Sequence, residues 1–426
     1  MAESIALTNA VIIDGTGKEP FKGTVLIQDS KIVEITDGRF TPTQGGFKVV
    51  DLRGAFLIPG LIDAHLHLTG FRSGDLLKES LLVPYEVLVA RVVKDLEDLI
   101  CSGFTSIGDA GGSIAVGVKR AVEEKTILGP RISAAGHTLS QTFGHGDEHY
   151  LPIQYVDPRE SRFKSSLGAL ICDGVEECQK AARYALRCGA DFIKVSATGG
   201  VLSEKDRPEY TQFTIEELKA IVQEAKHAKR FVHAHAQGTE GIKNSLLAGV
   251  KVIAHAIFID QECCDLAKEK DAIIVPTLSI VEHIMRYGKQ IGIPEWGLQK
   301  CEQVYKIHIE NIRLAYKSGV KLATGTDFLG GTNAFRHGQN ALEIVLFVEK
   351  IGMSPMEAIV AATKNAAQAV GFSEITGTIE VGKMADIVVL KESPLENVRT
   401  LMEPSNILMV LKEGVVVKDL LNWSMR

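Results

Sequence analysis

Two histidine pairs and one lysine carry the first chemical signal in this sequence. His65-Leu-His67 follows the tight apolar approach Ile58-Pro-Gly-Leu-Ile-Asp63, and His233-Ala-His235 lies in the apolar run Arg230–Ala236. Residues i and i+2 of a strand point to the same side, so each pair presents both imidazoles one way. Lys194 sits inside the apolar pattern Phe192-Ile-Lys-Val-Ser-Ala. An unpaired ammonium is expensive to bury. One reading is a lysine that snorkels from a strand edge. The other is a catalytic amine or a carbamylated lysine. Burial lowers the lysine pKa, so the neutral amine can react with carbon dioxide and become a carboxylate able to bridge two metals. His255 lies in Lys251–Ala256, and Asp327 ends Thr324-Gly-Thr-Asp. Singly, each histidine reads equally well as a satisfied core group. Together the residues offer nitrogen and oxygen donors without thiolates, which suit zinc or a similar divalent ion.

Something must hold these residues together. From about residue 60 to 370, short apolar runs alternate with longer amphipathic stretches. The predicted strands are Leu61–Leu68, Phe104–Asp109, Arg131–Gly136, Asp191–Ala197, Arg230–Ala236, Lys251–Ala256, Ala272–Leu278 and Lys321–Asp327. Helical patterns lie between them at Tyr85–Ile100, Gly174–Cys188, Thr214–Lys229, Gly241–Ala248 and Gln299–Ser318. Eight strands alternating with helices predict a parallel (β/α)8 barrel with insertions, in which function sits at the C-terminal ends of the strands. The chain ends differ. Short strand patterns punctuated by Asp14-Gly15 and Asp37-Gly38 fill the first residues, and the style returns after Gly377. The expected organisation is a small β-sandwich from residues 1–58 plus 372–426 and a barrel from 59–371.

Composition bounds the partners. A chain of 426 residues with 45% hydrophobic residues has ample material for a core, which excludes a disordered protein. The net charge of −6 is spread without a basic stripe, so no nucleic-acid partner is expected. No apolar run approaches the ~18 residues of a membrane helix, and the start lacks the basic region of a signal peptide. The seven cysteines show no CxxC spacing, which predicts reduced thiols in a cytoplasmic protein.

These residues resemble the amidohydrolase superfamily: Pro59-Gly-Leu-Ile-Asp-Ala-His-Leu-His67, Lys194, His235, His255, Asp327 and the tail Gly377-Thr-Ile-Glu-Val-Gly-Lys-Met-Ala-Asp386. The resemblance implies a distorted (β/α)8 TIM barrel with a small β-sandwich domain and a site for two divalent metal ions, zinc being the expected metal. It implies that one metal takes His65, His67 and Asp327, that the other takes His235 and His255, and that carbamylated Lys194 bridges them. The family's fifth-strand motif aligns with His235-Ala-Gln-Gly rather than with His233. Gly199-Gly200, Gly144-His-Gly-Asp147 and Gly238-Thr-Glu-Gly-Ile are similar to the prolidase-like branch. That branch includes Xaa-Pro dipeptidases, carboxypeptidases releasing arginine or lysine, and an amidase that cleaves ochratoxin. Each cleaves an amide whose leaving amine belongs to an amino acid with a free carboxylate. The chain departs from many relatives at Gln237, where a second histidine is common.

The implied chemistry assigns further roles. Asp327 is expected to be general base and then general acid. His137 and His145, after the third strand, are the candidate catalytic groups for the oxyanion. Arg207 and Tyr210 are candidates for a carboxylate clamp, with Gln237 and His233 as further substrate contacts. The expected substrate is a dipeptide or N-acyl amino acid, with proline favoured as the leaving residue. Release of Arg or Lys is the alternative, kept open by Asp147, Glu148 and Glu204. A mononuclear deaminase resembles the chain less: such relatives carry a Glu three residues after the fifth-strand His, where this chain has Gly238. A non-catalytic scaffold would typically have lost ligands, and none is missing. Relatives often assemble, so a homo-oligomer is expected.

Overall fold

A computed structural model of the chain describes residues 4–37, 46–161, 164–331 and 335–423. The alternating middle folds into two parallel arcs. Leu61–Leu66, Phe104–Asp109 and Arg131–Ala134 form the first. The second runs in the order Ala169–Ile171, Thr138–Ser140, Ile193–Ser196, Val232–Ala236, Val252–His255, Ile273–Val275, Lys321–Leu322. The arcs close on each other through the backbone. Asp191 N–H donates to Ala134 O at 2.7 Å, and on the other side Ala64 N–H donates to Thr324 O at 2.9 Å. Two broken seams make this a distorted (β/α)8 barrel.

Local sequence accounts for its parts. Helix Ile215–His227 starts at Thr214, whose side chain accepts from Glu217 N–H while Glu217 reaches back to the Thr214 N–H. This reciprocal cap satisfies two backbone donors that the first turn leaves free. The predicted strand Ala272–Leu278 is instead strand Ile273–Val275, followed by helix Leu278–Ile291. An unbroken apolar run cannot reveal such a switch, because neither the period of two nor that of 3.6 shows in it. The helix start is held by Glu343, whose carboxylate accepts from the N–H groups of Leu278 at 2.9 Å and Ser279 at 2.7 Å. Together with Glu295–Lys317 the helix forms an antiparallel pair, and its Ile280, Val281 and Ile284 pack with Val201, Ile257 and Phe328.

The chain ends meet in a second sheet. Its order is Val415–Asp419, Ile407–Lys412, Ile387–Leu390, Phe56–Pro59, Ile5–Ile12, Phe21–Gln28, Lys31–Thr36, with Lys48–Asp51 also bonded to Ile5–Ile12. The antiparallel pairing of Ile387–Leu390 with Phe56–Pro59 joins the two termini. Alternation along the strands divides their side chains between two cores. Leu57, Ile387 and Val389 face the sheet's own core, whereas Ile58, Val388 and Leu390 join the barrel's. Arg131 spans the junction, donating to Asp386 at 2.5 Å and Glu413 at 2.9 Å. Among the described residues, no helix is long and apolar enough to cross a membrane.

Candidate active site

The barrel brings the ligand-type residues to one end. His65 is the penultimate residue of Leu61–Leu66 and is fully buried. Its Nε2 lies 3.3 Å from Lys194 Nζ and 3.4 Å from Asp327 Oδ1. His67 follows the strand, with Nε2 3.2 Å from the same Asp327 oxygen. Ligand atoms of His65, His67 and Asp327 all lie within 4.8 Å of one another. Lys194 sits beside His233 and Ser196 beside His235 in the parallel register of neighbouring strands. The His235 and His255 rings stand 4.5 Å apart, and those of His65 and His255 5.1 Å.

Each imidazole is held through at least one ring nitrogen. His67 Nδ1 lies 2.8 Å from Gly111 O, and His235 Nε2 lies 3.0 Å from Gly199 O. A carbonyl only accepts, so these nitrogens carry the proton, which leaves the His235 lone pair on Nδ1. His67 Nε2 faces the Asp327 carboxylate, and although burial lowers the His67 imidazole, the bond to Asp327 and its charge outweigh that and raise it. His255 Nδ1 bonds Thr277 Oγ1 at 2.7 Å, and His65 Nδ1 meets His233 Nε2 at 3.0 Å. Rings oriented by such partners are what a divalent cation requires of its ligands. The set therefore fits a metal on its donor chemistry.

Electrostatics supports the same fit. Burial holds His65, His235 and His255 well below the usual imidazole range, helped for His65 and His235 by neighbouring positive groups. They are neutral donors at pH 7. Burial also draws the Lys194 amine down to about 7, against the pull of Asp327 and Asp109. Burial opposes ionisation of Asp327, but the His67 hydrogen bond and the charges of His255, His67 and Lys194 outweigh it and bring it to about 2.

A cavity of about 200 Å³ opens in front of this group. Leu76, Leu167, Leu202, Ile257, Ile280 and Ile284 form much of its apolar wall. Among the expected substrate residues, His145 and Gln237 line it. The His145 ring stacks on His235 at 4.1 Å, with Nδ1 2.9 Å from Ser203 Oγ and 3.6 Å from the buried Asp206 carboxylate. Gly200 permits this: a Cβ there would meet the His145 ring at 2.4 Å.

Four of the expected residues lie outside the cavity wall. His137 does not line the cavity; it is half-buried near Tyr184, with a ring separation of 6.5 Å, because the chain turns away after Gly136 at φ +64°. Arg207 and Tyr210 are exposed and also lie outside the cavity wall, since their loop folds back so that Tyr210 N–H donates to Arg207 O. His233 is fully buried behind His65 and stacked on Phe192.

Two buried carboxylates escaped sequence reasoning. Asp63 accepts from His65 N–H, Thr326 N–H, Thr326 Oγ1 and Asn340 Nδ2, tying the strand of His65 to the segment of Asp327. Asp109 accepts from Leu68 and Gly111 N–H and so fixes the carbonyl that orients His67. Asp63 stands two residues before His65, on its side of the strand; that spacing was the available signal.

Known proteins are similar to this chain over nearly its whole length. The model of the Amidohydrolase family matches residues 56–417. The chain is 35% identical to ochratoxinase of Aspergillus niger over 431 residues, covering 96% of this chain and 85% of that one. It is 31% identical to a Xaa-Pro dipeptidase solved with methionine in its active site, with a TM-score of 0.86 over 97% of this chain and 99% of that one. A prolidase complexed with N-methylphosphonate-L-proline is also 31% identical, with a TM-score of 0.90 over 98% of this chain and 100% of that one.

Proposed function

This chain belongs to the amidohydrolase family, and on that premise we propose that it is a binuclear-metal hydrolase of amides whose leaving amine is an amino acid with a free carboxylate. Dipeptides of the Xaa-Pro type are the favoured substrates. The observation that carries the reading is the meeting of His65, His67 and Asp327 with Lys194, 3.3 Å from His65, at the floor of a cavity. His65, His67 and Asp327 would hold one divalent cation, His235 and His255 the other, and carbamylated Lys194 would join them, with zinc fitting the donors. When bound, such a pair supplies Lewis acidity and lowers the pKa of water.

The chain's own residues do the rest. The neutral Lys194 amine adds to carbon dioxide, forming the N–C bond of the carbamate and releasing a proton. Asp327 takes the proton of the attacking water and delivers it to the nitrogen of the broken C–N bond. His145 presents its ring to the carbonyl oxygen as charge develops there. The apolar wall accepts a proline ring, and a tertiary amide costs the site no hydrogen bond. The Xaa-Pro dipeptidase and the prolidase, each about a third identical over nearly the whole chain, support this preference. The ochratoxinase supports a second reading, hydrolysis of N-acyl amino acids. The proposal includes unit bounds of 1–58 plus 372–426 and 59–371, a homo-oligomer, and a cytoplasmic location in which seven free cysteines stay reduced.

The test is metal analysis together with kcat/KM for Xaa-Pro, Xaa-Arg and Xaa-Phe, each against its C-terminal amide. Two ions per chain and a strong preference for free acids over amides are expected. At most one ion in active enzyme overturns the binuclear site. Equal rates for acids and amides overturn the carboxylate requirement. Xaa-Arg exceeding Xaa-Pro by ten-fold, about 1.4 kcal/mol, overturns proline.

A further inference from the structure

The long helix Glu295–Lys317 carries buried polar side chains that this chemistry does not use. His308 and Asn311 lie three residues apart on one face of it. His308 is 1% exposed, lines the cavity, and has its Nε2 2.9 Å from the backbone oxygen of His255. A carbonyl only accepts, so His308 is the donor there. Asn311 Nδ2 donates to Ile257 O, also at 2.9 Å. Two side chains of one helix therefore grip the backbone on either side of Ala256.

That stretch of backbone needs holding. His255 has φ +70° and Ala256 φ +52°. Both carry a Cβ, which crowds the chain in the left-handed region, and such a conformation persists only where its surroundings enforce it. The turn matters to the site because strand Val252–His255 ends at the residue whose ring faces the cavity. Thr277 Oγ1 holds that ring at Nδ1, at 2.7 Å. The direction of the His255 Cα–Cβ bond is set by the backbone, and relaxation to extended φ would swing the ring from its place 4.5 Å from that of His235. The same helix holds a second loop independently: Lys300 Nζ donates to Gly200 O at 3.2 Å and to the carbonyl oxygens of Ser203 and Asp206.

We propose that His308 and Asn311 are positioning residues. Together they clamp the left-handed turn at His255 and Ala256, and the clamp aims the His255 imidazole at the cation it would take. The aim rests on the reading of His255 as a metal ligand; the clamp stands or falls without it.

The experiment reads the two parts separately. Hydrogen–deuterium exchange of the metal-free protein reads the clamp through the amides of Ala256, Phe258 and Ile259, which donate to Ala236 O, Gln237 O and Ala256 O. His308→Leu and Asn311→Leu each remove one donor and should speed exchange there at least three-fold, while residues 199–206, the loop held by Lys300, change by less than that. His308→Gln, whose amide nitrogen reaches about as far as Nε2, should stay within three-fold of wild type. Zinc affinity by chelator competition reads the aim. His308→Leu should weaken one of the two ions at least ten-fold, leaving the other and His308→Gln within three-fold of wild type. A rise of less than three-fold at the turn in either leucine variant overturns the clamp. An equal rise at residues 199–206 also overturns it, because the whole helix would then have loosened, as does a glutamine variant that exchanges as fast as His308→Leu. Zinc binding weakened less than ten-fold, or both ions weakened alike, overturns the aim. If the wild type binds at most one zinc ion, the binuclear reading has failed, and exchange decides the clamp by the same limits. Thermal unfolding checks that the variants fold; if His308→Leu does not, Asn311→Leu, at a half-buried position, carries both comparisons.

Discussion

His233 tests whether the geometry behind the proposed metal ligands controls them. The ring is fully buried, and its Nε2 lies 3.0 Å from His65 Nδ1. For His65 to offer Nε2 to a metal, its proton must sit on Nδ1 and be donated to His233. His233→Leu removes that acceptor at similar volume. It leaves the His65 N–H buried and unpaired, a cost of ~1–3 kcal/mol that the ring can escape by shifting its proton to Nε2. That shift blocks the ligand atom. Partners of this kind are worth about ten- to a hundred-fold in metal affinity, or ~1.4–2.8 kcal/mol, the same range. The fold should suffer less than the metal. His233 Nδ1 is itself buried without a partner, so leucine also removes one unsatisfied atom. The assay is zinc affinity by chelator competition, with urea unfolding of the metal-free protein beside it. Affinity should fall ten- to a hundred-fold, while the unfolding free energy moves by ~1 kcal/mol or less. Affinity unchanged in a folded variant would falsify the tautomer argument. A loss as large as that of His235→Leu would show His233 to be a ligand itself.

Three further outcomes follow from the same geometry. Asp327→Asn should lower kcat by well over ~100-fold, the scale of a general acid–base group, even when metal is restored; near-normal turnover in metal-replete protein contradicts its role. In metal-free protein the Lys194 amine is neutral above about 7, so uptake of labelled carbon dioxide should rise about ten-fold per pH unit below that value and level off above it. A rate still climbing to pH 10 would mean an ordinary lysine; Lys194→Ala should be inactive and partly rescued by short carboxylic acids. Asp63→Ala strands four donors, among them Thr326 Oγ1 at 2.6 Å and Asn340 Nδ2 at 2.6 Å, and should cost ~3 kcal/mol or more in urea unfolding. A cost below ~1 kcal/mol would show that other contacts hold the Asp327 segment.

Much of this molecule was legible in its sequence, for reasons that are local. Strands rich in Val, Ile and Ala alternating with amphipathic helices give a parallel barrel because each face must be buried. The period of two placed His65 with His67 and His233 with His235, since neighbouring side chains on one face of a strand cannot avoid each other. The helix beginning at Thr214 was readable because the donors and acceptors of its first turn lie within three residues. Tertiary structure decided what depends on contacts between distant segments. His233 and His235 look alike in sequence, but the register beside Lys194 and Ser196 puts one ring behind His65 and the other beside His255 and the cavity. His137 and His145 follow the same strand, yet the turn after Gly136 carries one away, and Ser203 and Asp206, some 58 and 61 residues further on, anchor the other. The switch from strand to helix after Val275 depends on Glu343, which reaches across 65 residues to Leu278. Local pattern records which groups share a face. Which of those faces meet, and which charges are left without a partner, is set by the packing of the whole barrel.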